Sequence, residues 1–309
     1  MKMFIKRIFI YFIIFTIILI PVNIVFSKVG SARIFNGSDN LIKDMEDILT
    51  SDNPFFSDYK NSKRVNVLIM GVNDGLTDTI MLASYDMDNQ RVDVISIPRD
   101  TYYPRQGVKS AAAQKINAIY RGNGVVGTAE AVSDLLLGMP VNYYMVVDYD
   151  NVEKIVDAIG GVPVDIAFHM HYEDKYDKPP LYIDFPAGHH VLKGKEAAKY
   201  LRFRKGSPGY KSYPEGDIGR VKAQQEFIKS AFRESLGFGL PKVASTVVQN
   251  VESDLTVGIA VKIAQKAIGL NAEALTTYTV PGKAGMANNL SYWYANKEET
   301  EKMIGEIYN

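Results

Sequence analysis

Val92-Asp93-Val94-Ile95-Ser96-Ile97-Pro98-Arg99-Asp100-Thr101 is an apolar strand that stops at a proline and hands over to a charged pair. Proline cannot donate to a sheet ladder, so Pro98 ends the strand and delivers Arg99 and Asp100 to whatever lies beyond its end. Upstream, Val65–Val72 is a continuous apolar run and Thr79–Tyr85 is a second. The turn Asp86–Gln90 joins that second run to Val92–Ile97 as a hairpin. Runs without polar alternation are strands buried on both faces. Downstream, helical periodicity over Thr128–Leu137 precedes a strand at Tyr143–Val147 and a helix at Asn151–Ile159 closed by Gly160 and Gly161. Further helices are predicted at Lys195–Tyr200, Asp217–Leu236, Leu240–Val251 and Val257–Leu270, then a strand at Thr276–Val280 and a terminal helix from Lys297. There is no internal repeat. The alternation predicts one α/β domain, from Arg64 to the end of the chain, with a central sheet covered on both faces.

Ahead of this domain, Ile8–Ser27 carries no charge over about 20 residues, enough to cross roughly 30 Å of hydrocarbon as a helix. Lys2, Lys6 and Arg7 precede it. They favour a cytoplasmic N-terminus at 1–7, a transmembrane anchor at 8–27 and an extracytoplasmic remainder. A cleaved signal peptide is the competing reading, but the run is long and no small-x-small site follows it near Ser27. Residues 28–63, rich in Ser, Asp, Asn and Lys, read as a juxtamembrane stalk.

Of the 309 residues, 47% are hydrophobic and 23% charged, a globular mix that excludes a disordered or collagen-like chain. There is no cysteine, so disulfides, thiolate zinc sites and cysteine nucleophiles are excluded. The 35 bases balance 35 acids, which argues against a nucleic-acid partner; after Ser27 the balance is 32 against 35. One segment departs from neutrality. Between Lys193 and Lys222 nine bases face three acids, an excess of six that calls for an anionic ligand.

Within that segment Arg202 and Arg204 are two apart, and Asp217, Arg220 and Gln224 fall on one helical stripe. Arginine suits phosphate because its planar fork donates two hydrogen bonds at once, although charge runs are also ordinary solvated surface. Asp78 immediately precedes a strand, and Asn73 and Asp74 end another. Hard oxygen donors suit Mg²⁺, while Asn-Asp-Gly is equally a turn signal. His169 and His171 alternate with Glu173 and Asp174, and His189 adjoins His190. Their spacing matches no familiar zinc site, so they read as loop and turn residues. Trp293, between Tyr292 and Tyr294, reads as a packed strand or the wall of a ligand groove.

Taken in order, several stretches resemble the LytR-CpsA-Psr family of Gram-positive bacteria. They are Val67–Val72, Thr77–Leu82, Ser96–Thr101, Lys115–Tyr120, Val156–Val162, Tyr200–Arg204, Asp217–Arg220 and Gln224-Gln225. The resemblance covers about residues 64 to 230. It implies a three-layer α/β/α sandwich with a central mixed sheet, an apolar pocket for a polyprenyl chain and an arginine-lined mouth for its pyrophosphate. It implies a phosphotransferase that moves a polyprenyl-pyrophosphate-linked glycopolymer, of teichoic acid or capsule type, to a peptidoglycan hydroxyl, assisted by Mg²⁺ or by Mn²⁺ in its place. A pyrophosphatase side activity would follow if water replaced the acceptor.

By resemblance Asp78 is a metal ligand, with Asn73 and Asp74 beside it. Arg99, Lys115, Arg202, Arg204, Arg220 and Gln224 contact the pyrophosphate, and Arg99, Asp100 and Asp78 are the catalytic candidates. The family usually carries Asp at position 73, Arg at 76 and Arg at 223, where this chain has Asn73, Leu76 and Ala223. Each departure removes charge from the expected site, so a weakened polyprenyl-pyrophosphate-binding envelope protein or regulator is the alternative reading.

Overall fold

The computed structural model describes residues 55–177, 180–235, 251–255, 270 and 272–308. In chain order the described elements are α1 (Phe56–Asn61), β1 (Arg64–Asn73), β2 (Leu76–Asp86), β3 (Arg91–Ser96), α2 (Ile119–Leu135), β4 (Tyr143–Val147) and α3 (Tyr149–Ile159). Then come β5 (Val162–Ile166), β6 (Met170–Asp174), β7 (Leu181–Phe185), β8 (Gly188–Leu192), α4 (Gly194–Arg202), α5 (Asp217–Ser235), β9 (Glu252–Ser253), β10 (Leu275–Thr279), β11 (Gly282–Ala287), β12 (Leu290–Ala295) and α6 (Lys297–Tyr308). The α/β expectation holds, and the chain divides into two compact units. Among the described residues, a sheet unit holds 55–147, 252–255 and 274–308, and a hairpin unit holds 148–177, 180–235, 251, 270 and 272–273.

The sheet unit is built on six strands in the order β10-β3-β2-β1-β4-β9. β1 is antiparallel to β2 and parallel to β4; β3 is antiparallel to β2 and parallel to β10. The sheet is therefore mixed. Its consequence is directional: β1, β3, β4 and β10 all end at the same edge of the sheet, where β2 begins. Ligands of open α/β sheets gather beyond such carboxyl ends. β2 from Ile80 onward and β3 from Val92 onward are buried throughout, with Ser84, Asp86, Asp93 and Ser96 among their mostly apolar residues. Leu68, Met70, Ile80, Leu82 and Ile95 share a core with Ala129, Val132 and Leu136 of the α2 region and Met303, Ile304 and Ile307 of α6.

The same core takes Phe55 and Tyr59, and the Tyr59 hydroxyl donates to the Leu136 carbonyl at 3.2 Å. The folded unit therefore begins by Phe55 and not at Arg64; a stalk reaching residue 63 overlooked two aromatic side chains one helical turn apart. The helix expected over Thr128–Leu137 extends back to Ile119 across a break at Gly124, whose φ of 61° and ψ of −152° are open to glycine alone. The helices expected at 240–251 and 257–270 and the span at 8–27 lie outside the described residues. Among the described residues, no helix is long and apolar enough to cross a membrane.

Asp254, just after β9, accepts the Tyr144 N–H at 2.9 Å through Oδ1, and its buried Oδ2 has no partner among the described residues. Burial pushes its carboxyl from 3.8 up to about 6. The folded chain then holds a proton that the unfolded chain has lost, so this group's contribution is intact below pH 4 and declines as pH rises to about 6. Asp254→Asn keeps the Oδ1 acceptor and removes the charge. In urea melts the variant should match the native chain near pH 4 and exceed it above pH 6, by of the order of 2–3 kcal/mol. A constant difference across that window would refute the assignment.

The hairpin unit has its own core, in which Val162, Val164 and Ile166 of β5, Ile183 and Phe185 of β7, Ala197 and Tyr200 of α4, Phe203, and Phe227 and Ala231 of α5 meet. β5 pairs with β8 and β6 with β7, each antiparallel. α3 starts with a reciprocal cap: Asp148 accepts the Asn151 N–H at 2.7 Å and Asn151 accepts the Asp148 N–H at 2.9 Å. It stops at Gly160, where φ is 96°.

Candidate functional site

At the carboxyl edge of the sheet unit, β3 ends as expected before Pro98. The Thr101 N–H and hydroxyl both donate to the Pro98 carbonyl, at 2.9 and 2.6 Å, closing a turn that presents Arg99 and Asp100. Opposite, the pairing of β1 with β2 shifts between Gly71, which faces Thr79, and Val72, which faces Thr77. Asp78 is the extra residue of this bulge. A bulge re-aims one side chain without ending the strand, a device common beside active sites. Asp78 is thereby turned to meet the Arg99 guanidinium, and the two form an ion pair with side chains 20% and 16% exposed.

A second pair lies next to the first. Lys115 Nζ donates to Asp100 Oδ1 at 2.8 Å and stands 5.6 Å from the centre of the Tyr292 ring. Its segment is sewn to the Arg99 turn by backbone bonds from Ile116 N to Thr101 O and from Asn117 N to Arg99 O, at 2.9 and 3.2 Å. Four of the expected residues thus stand as two acid–base pairs on adjoining segments of one unit.

Asn73 and Asp74 sit at the exposed tip of the β1–β2 hairpin, where Asp74 and Gly75 have φ of 49° and 73°. That is the backbone of a tight two-residue hairpin turn, so the turn reading of Asn-Asp-Gly is realised. Arg121, which sequence reasoning passed over, donates to the Asp74 carbonyl at 2.7 Å. Asp78 supplies one partly buried hard oxygen donor and the tip two exposed ones. A magnesium ion takes one or two carboxylates and fills its other positions with water and phosphate, so the donor chemistry fits it.

In the hairpin unit the expected stripe on α5 is present. Arg220 pairs with Asp217 at 2.9 Å, and the Gln224 amide donates to the Leu201 carbonyl at 3.3 Å. Arg220 and Gln224 are only 6% and 7% exposed. Gly219 makes this possible, because a Cβ there would lie 2.5 Å from that of Tyr213. Tyr213 packs edge-on against Phe168 and Phe203, and burial raises its hydroxyl well above the usual range, although the Arg220 charge opposes this.

Arg202, the last residue of α4, stands 4.7 Å above the Tyr149 ring and is paired with Asp177. Neither partner was legible, since Tyr149 and Asp177 lie in no motif. Fully buried Phe203 separates Arg202 from Arg204, which is exposed. Lys222, beside the Ala223 departure, is held by Glu215 at 2.6 Å with 60% of its side chain exposed, and Ala223 packs against the unit's core. Trp293, on β12, donates to the Val280 carbonyl at 3.0 Å as a packed strand residue.

A family model described as the LytR_cpsA_psr family matches residues 33–308. The polyisoprenyl-teichoic acid–peptidoglycan teichoic acid transferase TagV of Bacillus subtilis is 26% identical over 260 residues, 79% of this chain and 64% of its own length. The regulatory protein MsrR of Staphylococcus aureus is 30% identical over 212 residues, 65% of this chain and 59% of its own length. The chain thus spans about three fifths of these curated relatives. The crystal structure of B. subtilis TagV superposes with a TM-score of 0.64 at 26% identity, over 80% of this chain and 96% of that one.

Proposed function

Because the chain belongs to the LytR-CpsA-Psr family, we propose that it is a phosphotransferase carrying a polyprenyl-pyrophosphate-linked glycopolymer, of teichoic acid or capsule type, to peptidoglycan. The observation that carries this reading is the bulge-directed Asp78–Arg99 pair beside the Asp100–Lys115 pair. The name of TagV supports the reaction class. With it come the three-layer α/β/α arrangement, a lipid-binding apolar pocket, and anchorage to the membrane through residues 8–27 with the catalytic part outside.

Arg99 and Lys115 bind pyrophosphate oxygens, and Arg202, Arg204, Arg220 and Gln224 serve the same ligand chemistry. The acceptor hydroxyl oxygen forms a bond to the sugar-linked phosphorus, and the bond from that phosphorus to the bridging oxygen breaks. Polyprenyl phosphate leaves with the electron pair. The hydroxyl proton passes to a carboxylate, Asp100 or Asp78. Phosphoryl transfer asks mainly for positioning and charge stabilisation, which fixed guanidinium groups supply. Mg²⁺ or Mn²⁺, held at Asp78 with help from Asn73 and Asp74, supplies further charge neutralisation when bound.

Asp78→Asn is expected to raise the Mg²⁺ concentration needed for half-maximal cleavage of a polyprenyl pyrophosphate at least tenfold. Asn73→Asp, which restores the family residue, should lower it. An unchanged Mg²⁺ requirement in Asp78→Asn would remove that residue from the metal site.

MsrR is named a regulatory protein, which favours a second reading of this chain as a regulator; we take that regulator to bind the lipid carrier without turning it over. Incubating the purified chain with a polyprenyl pyrophosphate separates the two. Release of polyprenyl phosphate supports the transferase, its release without any acceptor reveals hydrolysis, and tight binding without release supports the regulator.

A further inference from the structure

Outside the site described above, among the described residues, one group of three side chains gathers metal-ligating atoms: His169, His171 and Asp184, whose donor atoms all lie within 4.8 Å of one another. We propose that these three residues, two on the β6–β7 hairpin and His169 just before it, form a binding site for a divalent transition-metal ion, with zinc the first candidate.

The sequence spacing alone carried nothing, because the third ligand comes from the paired strand. His171 and Asp184 are direct cross-strand partners in the register of β6 with β7. Side chains alternate along a strand, so His169 shares the face of His171. Met170, Ile183 and Phe185 are buried, which turns the intervening His169, His171 and Asp184 away from the core. His171 is therefore a strand residue on the outward face of a β-hairpin, while His169, in the loop just before β6 as expected, adjoins that face.

His169 Nε2 lies 2.6 Å and His171 Nδ1 3.2 Å from the same oxygen, Asp184 Oδ1. The two imidazoles converge on this carboxylate oxygen, and an ion taken up among the three would have two nitrogen ligands, one oxygen ligand and a fourth position for water or substrate, the usual composition of an open zinc site. Ligands of a tetrahedral zinc at about 2.1 Å stand about 3.4 Å apart, so the carboxylate must draw back from His169 by about an ångström, with every pair of donor atoms already within 4.8 Å. Asp184 is 41% exposed and can do so.

The surroundings match those of a ligating histidine. Metal-bound imidazoles commonly direct their second nitrogen at a carboxylate, which fixes tautomer and orientation. His171 Nε2 faces Glu173 Oε1 at 3.7 Å. Its ring is stacked on Tyr210 with centroids 4.1 Å apart and meets Tyr182 edge-on at 5.7 Å. The two imidazoles select against magnesium, which prefers oxygen, so this site and the one proposed at Asp78 call for different ions.

The test is a titration of the full-length chain, purified in detergent and freed of metal with a chelator, with Zn²⁺ against a chromophoric competitor and with Co²⁺ as an optical probe. The expected result is one equivalent bound, with Co²⁺ visible bands of tetrahedral intensity. His171→Ala and Asp184→Asn should each weaken Zn²⁺ at least tenfold, with circular dichroism unchanged. A His189→Gln, His190→Gln double variant, which removes the chain's other two histidines, should bind as the native chain does. Absence of zinc binding, or equal binding in the Asp184→Asn and native chains, would overturn the proposal. So would loss of binding in the His189, His190 variant.

Discussion

Replacing Arg99 with alanine is expected to lower pyrophosphate turnover by two to three orders of magnitude while leaving the chain folded. Pro98 and the turn closed by Thr101 fix the position of Arg99, and its guanidinium faces Asp78 with only 16% of the side chain exposed. Such a preorganised cation acts where water is scarce, and deletion of one comparable donor elsewhere costs roughly 10² to 10³ in rate. The variant also strips the cation from beside Asp78, whose negative charge would then repel the phosphates. Both effects act on the same step and in the same direction. Arg99→Lys should recover part of the loss, since lysine restores charge but not the planar fork. Steady-state cleavage of a polyprenyl pyrophosphate, with kcat and KM resolved, is the measurement; a loss below threefold would displace Arg99 from the chemistry.

The largest expected effect on stability is at Arg64, far in character from any site. Its side chain is 4% exposed and reaches Asp93 at 2.8 Å, Asp86 at 3.2 Å, the Ser84 hydroxyl at 3.1 Å and the Ile307 carbonyl, with the Tyr308 ring 5.1 Å away. Asp93 is fully buried in the middle of β3 and is paired with Arg64 and with Arg91, whose side chain is 33% exposed. Truncating one partner of a buried ion pair leaves the other charge poorly compensated and typically costs about 3–5 kcal/mol. Arg64→Ala should therefore lower the free energy of unfolding by that amount, read as a fall in the denaturant midpoint with the slope m unchanged. Arg91→Ala should cost clearly less, because its partial exposure lets water screen the pair. Equal losses in the two variants would contradict the ranking.

The parts of the fold read most accurately from sequence were those where one physical signal dominated. Val65–Val72, Thr79–Tyr85 and Val92–Ile97 are mostly apolar, with Asn66, Ser84, Asp93 and Ser96 as buried exceptions, and all three are central strands. Tyr143–Val147 matches β4 to the residue, and Gly160 marks the end of α3. The hairpins β5–β8 and β6–β7 escaped notice, although Leu181, Ile183 and Phe185 alternate with polar residues, because their five-residue strands are ringed by Pro, His, Asp and Gly. The division into two units was also hidden, since which core a residue joins is decided by contacts distant in sequence.

The candidate site divides in the same way. Pro98 told where Arg99 and Asp100 would be delivered, and the i, i+3, i+7 spacing told that Asp217, Arg220 and Gln224 share a stripe. What could not be read was pairing. Nothing in the sequence says that a bulge turns Asp78 toward Arg99, that Asp177 and Tyr149 hold Arg202, or that Asp93 needs Arg64. The cross-strand meeting of Asp184 with His171 belongs to the same class, because it depends on register rather than on spacing.

The most direct test follows one labelled polymer. A polyprenyl-pyrophosphate-linked glycopolymer, with different labels in the lipid and in the polymer, is incubated with the purified full-length chain, Mg²⁺ and peptidoglycan. The expected result is polymer label in peptidoglycan, polyprenyl phosphate released in equal amount, and neither product with the Arg99→Ala chain. Polymer that stays on its lipid while the chain binds it tightly would contradict the transferase and leave a carrier-binding regulator in its place.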